Sequence, residues 1–113
     1  MKKLLLVSVL AVLMMSFQIF PISLKITIRD ELGNLTEGAT VTLYKTEEDY
    51  INKENPVGSA ELTNQKGIAS FKNLEPAPYF IYAEKGEMNN IERGVQTDTL
   101  QKGRVNKATI IID

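Results

Sequence analysis

Short runs in which apolar and polar residues alternate constrain the fold of this sequence more than any other feature. Leu24, Ile26 and Ile28 alternate with polar residues, and this period of two is that of a strand with one buried side. Similar runs recur along the chain, separated by Gly, Asn and Pro, so we predict strands at 24–29, 39–45, 57–63, 68–71, 79–85, 94–100 and 107–112. Residues 46–53 are predicted to form one helical turn, which Thr46 can cap.

Seven short strands without crossover helices predict an all-β fold, a seven-stranded antiparallel Greek-key sandwich. Within residues 79–85, Tyr79 and Ile81 fall on one side of the strand and Phe80 and Tyr82 on the other. Because both sides carry bulky groups, we predict that this strand is central in its sheet. The length of 113 residues suits a single domain.

The N-terminus has the arrangement of a secretory signal. Lys2 and Lys3 precede residues 4–15, in which Ser8 is the only polar residue. We therefore predict a signal peptide or N-terminal anchor at residues 1–23 and a folded domain at 24–113. An uncleaved anchor remains an alternative, because the apolar stretch is about as long as a bilayer is thick. The expected location is exported: periplasmic, on the outer surface or secreted, with membrane contact only through an uncleaved N-terminal segment.

The residue types that are missing restrict the chemistry. Without His or Cys the chain has no imidazole base, no thiolate nucleophile and no zinc site of nitrogen and sulfur ligands. The 13 basic residues are spread along the chain and balanced by 14 acidic ones, so a nucleic acid partner is not expected. We predict a protein that is not an enzyme and needs no cofactor.

Four segments carry a resemblance to a known family. They are KITIRDELGN at 25–34, EGATVTLY at 37–44, TNQKGIASF at 63–71 and YFIYA at 79–83. With Leu74 they resemble the carboxypeptidase regulatory-like family, whose pattern is shared by collagen-adhesin B-type repeats and, more loosely, by transthyretin. The resemblance implies a prealbumin-like sandwich that serves as a spacer or binding module in a bacterial envelope, with a protein or glycan partner. The oligomeric state stays open.

Two reactions of similar folds are not expected here. An intramolecular isopeptide bond would join a first-strand Lys to a last-strand Asn beside a buried Glu, and Lys25, Asn106 and Glu84 are the candidates. Lys25 falls on the polar side of its strand and Glu84 faces away from the predicted core, so we predict that the bond does not form. The hydroxyisourate hydrolases of the transthyretin type need His residues, which this chain lacks.

Oxygen-bearing side chains near one predicted loop form a weak candidate calcium site. The residues are Glu84, Glu87, Asn89, Asn90, Glu92 and Asp98. Calcium binds six to eight such oxygens, but their spacing matches no EF-hand loop. A calcium-dependent binding module is therefore the alternative function, and a solvated polar loop is the simpler interpretation.

Aromatic residues form the second candidate site, a partner surface. Tyr44 and Tyr82 fall on the outward sides of their strands, and Tyr50 lies in the excursion between strands. Exposed aromatic groups on a sheet mark binding surfaces. Packing within the second sheet is the alternative for the same three residues.

Overall fold

A computed structural model describes residues 22–113 as two packed β-sheets. The strands are β1 (Ile22–Asp30), β2 (Thr40–Tyr44), β3 (Glu61–Leu62), β4 (Ile68–Leu74), β5 (Phe80–Lys85), β6 (Met88–Asn89) and β7 (Val105–Ile112), and helix α1 (Glu47–Asn52) follows β2. The sheet orders are β4-β1-β7 and β3-β2-β5-β6. Most of the predicted signal segment lies outside the described residues.

Strand β1 is the central strand of the first sheet. Its alternate residues Ile22, Leu24, Ile26 and Ile28 are fully buried, as the sequence period predicts from Leu24 onward. β4 pairs with it in the antiparallel direction and β7 in the parallel direction. The parallel pair corrects the prediction of a wholly antiparallel sandwich. Only strands joined by a tight hairpin must run antiparallel, and the chain passes through the second sheet between β1 and β7.

Several strands differ in extent from the prediction. The run 57–63 contributes only β3, since Gly58 has a φ of +67° that interrupts an extended chain. The run 94–100 lies beside β5 through a single bridge between Gln96 and Phe80. β6 was not predicted, whereas β1 and β7 each begin two residues earlier than expected. The central position of β5 is confirmed, because it lies between β2 and β6.

The core lies between the sheets and its polar groups are satisfied. Val41, Leu43 and Ile81 from the second sheet are fully buried opposite the apolar residues of β1. The buried Thr63 hydroxyl donates to the Thr36 carbonyl oxygen at 2.7 Å and accepts from the Ala39 N–H at 2.8 Å. Within residues 22–113 no buried side-chain nitrogen or oxygen lacks a hydrogen-bond partner. In the same range, no helix is long and apolar enough to cross a membrane.

Gly67, just before β4, lies close to the backbone of Ile28 and Thr36. Its carbonyl oxygen accepts from the Ile28 N–H at 2.8 Å, and its φ is +73°. A Cβ atom placed there would lie 3.0 Å from both the Ile28 carbonyl oxygen and the Thr36 amide nitrogen. The turn therefore requires glycine for both its conformation and its lack of a side chain.

We expect Gly67→Ala to lower the free energy of unfolding more than Gly58→Ala does. Gly58 has a similar φ of +67°, but a Cβ there meets nothing within 4 Å. The control therefore measures the backbone strain alone, about 1 kcal/mol, and Gly67→Ala adds the steric contact. Urea unfolding of the two variants measures the difference. Equal losses would contradict the close approach.

Candidate functional site

Asn90, one of the predicted calcium ligands, is buried and serves the backbone of β5. Its Oδ1 accepts a hydrogen bond from the Ala83 N–H at 2.8 Å, and its Nδ2 donates to the Ile81 carbonyl oxygen at 2.7 Å. Only 1% of the residue is exposed. The side chain thus takes the place of a neighbouring strand, and its amide oxygen is engaged within the protein.

The structure separates Asp98 from Glu84 and Asn89 among the remaining calcium candidates. These candidates are Glu84, Glu87, Asn89, Glu92 and Asp98. Glu84 pairs with Asn89 at the C-terminal end of β5, whereas Asp98 follows Thr97, whose N–H donates to the Tyr79 carbonyl oxygen at the other end. Five residues of extended chain separate these ends, about 16 Å. Within residues 22–113 no group of three or more acidic side chains is placed to hold a metal ion.

We expect the thermal midpoint to be the same in millimolar calcium and in chelator. A cation that bound the folded state would raise the midpoint by mass action, and within residues 22–113 no three acidic side chains are placed together to hold one. Differential scanning fluorimetry in the two buffers makes the comparison. A calcium-dependent rise in the midpoint would contradict this expectation and support the calcium-binding alternative.

We expect Asn90→Ala to destabilise the fold strongly. The substitution leaves a buried donor and a buried acceptor of β5 without partners, each at a cost of about 1–3 kcal/mol. Asn52→Ala, on exposed α1 surface, is the matched control and should change stability by less than about 0.5 kcal/mol. Urea unfolding measures both variants, and a similar small effect at the two positions would argue against the role of Asn90.

Tyr44, Tyr50 and Tyr82 form a packed cluster beneath α1. Tyr44 and Tyr82 do lie on the outward sides of β2 and β5, and Tyr50 reaches them from the helix. The Tyr50 ring centroid lies 6.3 Å from that of Tyr44, 6.2 Å from that of Tyr82 and 5.9 Å from that of Phe80. The three tyrosines are at most 5% exposed. The alternation along the strands predicted an exposed partner surface. The structure instead shows a second small core that α1 covers.

Polar contacts hold α1 on this aromatic cluster. The Thr46 hydroxyl oxygen accepts from the Asp49 N–H at 3.1 Å, which confirms the predicted cap. The Tyr50 hydroxyl donates to the Asn90 carbonyl oxygen at 2.9 Å. Lys53 caps the other end and places its Nζ 4.5 Å from the Tyr82 ring centroid. A hydrogen bond with Tyr82 raises the pKa of Lys53. The outer surface of α1 is therefore fixed relative to the sheets.

We expect Tyr44→Phe to reduce the alkaline loss of stability. Burial raises the pKa of Tyr44. A tyrosine with a higher pKa in the folded state contributes stability that is complete below pH 10 or so and is lost as pH rises through the folded pKa. Urea unfolding from about pH 8 to 11 should therefore give a shallower decline for the variant than for the native protein. Parallel declines would contradict the burial of this hydroxyl.

The three groups considered for an isopeptide bond are not brought together in the fold. Lys25 points outward from the first sheet and Asn106 lies on the other side of the same sheet. The Asn106 Nδ2 donates to the Ser23 carbonyl oxygen at 3.1 Å, while Glu84 belongs to the second sheet. The amine and the amide therefore do not meet.

The outer side of the first sheet carries basic residues and no acidic ones. Its exposed cations are Lys25 and Arg29 on β1, Lys72 on β4 and Lys107 on β7. We call these four residues the basic face. The other outward residues of the three strands are Ser23, Thr27, Ile68, Ser70, Val105, Thr109 and Ile111. Asp30, at the end of β1, instead accepts hydrogen bonds from the N–H groups of its own turn.

The register of the first sheet concentrates charge at the centre of the basic face. Lys25 lies directly opposite Lys107 across the β1–β7 pair, and adjacent strands are about 4.8 Å apart. Like charges placed opposite one another on a sheet repel, and no acidic side chain of these strands separates them. The basic face is thus suited to an anionic partner. Sequence reasoning missed it, because the four residues are distant in sequence and the parallel pairing was not predicted.

Helix α1 presents acidic residues on the opposite side of the sandwich. Glu47 and Glu48 of α1 and Glu54 just after the helix are exposed, and we call these three residues the acidic helix surface. The ion pairs found in the described part of the chain, Lys45–Glu75 and Arg93–Asp113, involve none of them. The described protein therefore has a cluster of cations outside the first sheet and a cluster of carboxylates on and beside α1, outside the second.

Clefts lie at the edges of the described sandwich, and a small one is lined by Ser23 and Lys72. Two others lie at its loops. One of about 200 Å³ lies between residues 97–101 and β7, and another of about 300 Å³ lies between residues 57–61 and β4. Every buried polar side-chain atom in the described range already has a partner, so none of these clefts contains an unsatisfied buried group. The basic face is accordingly the candidate functional site.

Comparison with known proteins gives structural relatives alone. No family model matches the sequence, and no curated protein matches it. The minor pilin GBS52 of Streptococcus agalactiae is similar with a TM-score of 0.60 and 13% identity, over 83% of this chain and 45% of that one. The TIE protein of Bacillus anthracis has a TM-score of 0.56 and 20% identity, over 80% of this chain and 16% of that one.

BcpA, the major pilin subunit of Bacillus cereus, is similar with a TM-score of 0.54 and 19% identity, over 82% of this chain and 30% of that one. This chain spans less than half the length of each of these three proteins. At such identities the likeness shows the fold alone. The protein has a β-sandwich fold similar to that of pilin domains, and the carboxypeptidase regulatory-like family stays a resemblance.

Proposed function

We propose that the protein is an exported, non-catalytic β-sandwich module of the cell envelope that acts by binding another protein. The observation that carries this proposal is the basic face, where four exposed cations share one side of a sheet without an anion. Such a surface recognises a partner through complementary charge, which steers association and selects the partner. The fold positions the face rigidly, because it is built on three paired strands.

The envelope location rests on the sequence and agrees with the fold of the relatives. Lys2, Lys3 and the apolar run after them are typical of a secretory signal. The structural relatives include two pilins, and by analogy a structural or adhesive role suits this chain. A carboxypeptidase regulatory-like module would serve the same purpose. A signal that ends before Ile22 would keep this fully buried residue of β1 in the folded domain.

A protein partner is favoured over a glycan by the placement of the aromatic residues. Aromatic side chains commonly supply large amphipathic contact areas in binding sites. All four tyrosines of this chain are buried, and Phe80 is half-buried against Tyr50. A binding surface built from Lys, Arg, Thr and Ser, as here, suits the carboxylates of a protein. The proposal assigns the chain no catalytic residue and no cofactor.

Photo-crosslinking in the producing cell tests this function. A photoreactive phenylalanine analogue replaces Thr109, which is exposed in the middle of the basic face, and the full chain is expressed. We expect an adduct with another polypeptide in the exported fraction, where intact mass shows a chain that begins at or before Ile22. The Lys25→Glu/Lys107→Glu variant should lose most of the adduct, because the partner's anions are then repelled.

Two controls make the crosslinking result specific. The same analogue at Gln65, exposed in the turn before β4 and outside the outward side of the three strands, should give less of this adduct. Lys45→Glu/Lys85→Glu makes the same charge change on the second sheet and should keep the Thr109 adduct. A chain that stays in the cytoplasm would contradict the proposal. So would an adduct whose yield is unchanged by charge reversal at Lys25 and Lys107.

A further inference from the structure

We infer that the partner of the basic face is a second copy of this chain, which docks through its acidic helix surface. The inference deepens the proposed function and rests on it, since it takes the basic face as the binding surface. It is argued from the complementary charges of the two surfaces, from their positions on the fold and from the apolar residues beside them.

The two surfaces have matching charge. Four cations form the basic face, and three exposed carboxylates form the acidic helix surface, with Asp49 half-buried beside them. Lys53, the nearest cation at the end of α1, is turned over the Tyr82 ring. Within residues 22–113 the exposed carboxylates of α1 have no ion pair of their own. A partner that brings such carboxylates between Lys25 and Lys107 would relieve the repulsion between these two amines.

The two surfaces face in opposite directions. α1 packs on Tyr44 and Tyr82, the outward residues of the second sheet, while the basic face is the outward side of the first sheet. A copy that docks by its helix on the basic face of another leaves its own basic face free. Such a heterologous contact does not close on itself and extends in a line, unlike a two-fold dimer.

Exposed apolar residues accompany the charges on both surfaces. Ile51 of α1 is 57% exposed beside the glutamates, and on β7 Val105 is 44% and Ile111 38% exposed. Burying such side chains adds a favourable contribution to an association that charge complementarity directs. A phosphate-rich polymer would satisfy the basic face but would leave Ile51 and the acidic helix surface without a partner. The second copy satisfies both surfaces.

Sedimentation velocity of two variants and their mixture tests the inference. The full chain is expressed, and the form that the cell accumulates is purified. At about 0.02 M salt, where charges are weakly screened, we expect the native protein to grow beyond a dimer as its concentration rises. At about 0.5 M salt it should be monomeric. Lys25→Gln/Lys107→Gln weakens the basic face and Glu47→Gln/Glu48→Gln weakens the acidic helix surface, without creating a contact of reversed charge. Each variant alone should stay monomeric at low salt.

An equal mixture of the two variants should form a 1:1 dimer and nothing larger. The first variant keeps an intact acidic helix surface and the second an intact basic face, so one native contact can form. All four positions are exposed, and unchanged thermal midpoints confirm that both variants fold. A mixture that stops at two chains, together with a native protein that grows beyond a dimer, is expected from a heterologous contact and not from a two-fold one.

Three results would overturn the inference. They are a native protein that does not grow beyond a dimer at low salt, association that survives either double substitution, and a mixture that fails to dimerise. Binding of the monomeric native protein to inorganic polyphosphate, lost in Lys25→Glu/Lys107→Glu, would identify a polyanion as the occupant. A Thr109 adduct with a different protein, without self-association, would overturn the second copy and leave the proposed function intact.

Discussion

The double pairing of β1 is the constraint on which the rest of the structure depends. β1 lies between β4 and β7, and its alternation sends Ile22, Leu24, Ile26 and Ile28 into the core. The same alternation turns Lys25 and Arg29 outward. A slip of one residue in either pairing would exchange the two sides of the strand, so burial of the apolar side fixes the position of the basic face. Core packing and surface charge are thus consequences of one register.

Local sequence patterns predicted those features that depend only on residues close together in the sequence. The period of two located β1, β2 and β5 and named their buried sides, and Thr46 marked the start of α1. Residues 57–63 and 94–100 were predicted as full strands. Composition does not show that Gly58 interrupts the first run, or that the second pairs with β5 only at the bridge between Gln96 and Phe80. Strand direction also escaped prediction, since the pairing of β1 with β7 joins residues about 80 positions apart, a contact that no local pattern encodes.

The candidate sites show the same limit. The alternation of residues along β2 and β5 correctly predicted that Tyr44 and Tyr82 point outward. A helix of six residues covers them, however, and this tertiary contact changes an exposed patch into a small core. Asn90 was counted as an oxygen ligand, whereas its amide replaces a missing strand beside β5. The basic face, in contrast, was invisible because its residues come from three strands. It becomes a site only when the sheet assembles.

The most direct test of this account is a disulfide trap of the β1–β7 register. The chain has no Cys, so Lys25→Cys/Lys107→Cys introduces a single pair on the outer side of the sheet, with adjacent strands about 4.8 Å apart and within disulfide reach. We predict that mild oxidation of the folded monomer closes this pair, with an intact mass lower by about two hydrogens, while Lys25→Cys/Asn106→Cys stays reduced because its side chains lie on opposite sides. Oxidation of the second pair in preference to the first would contradict the register, and with it the basic face.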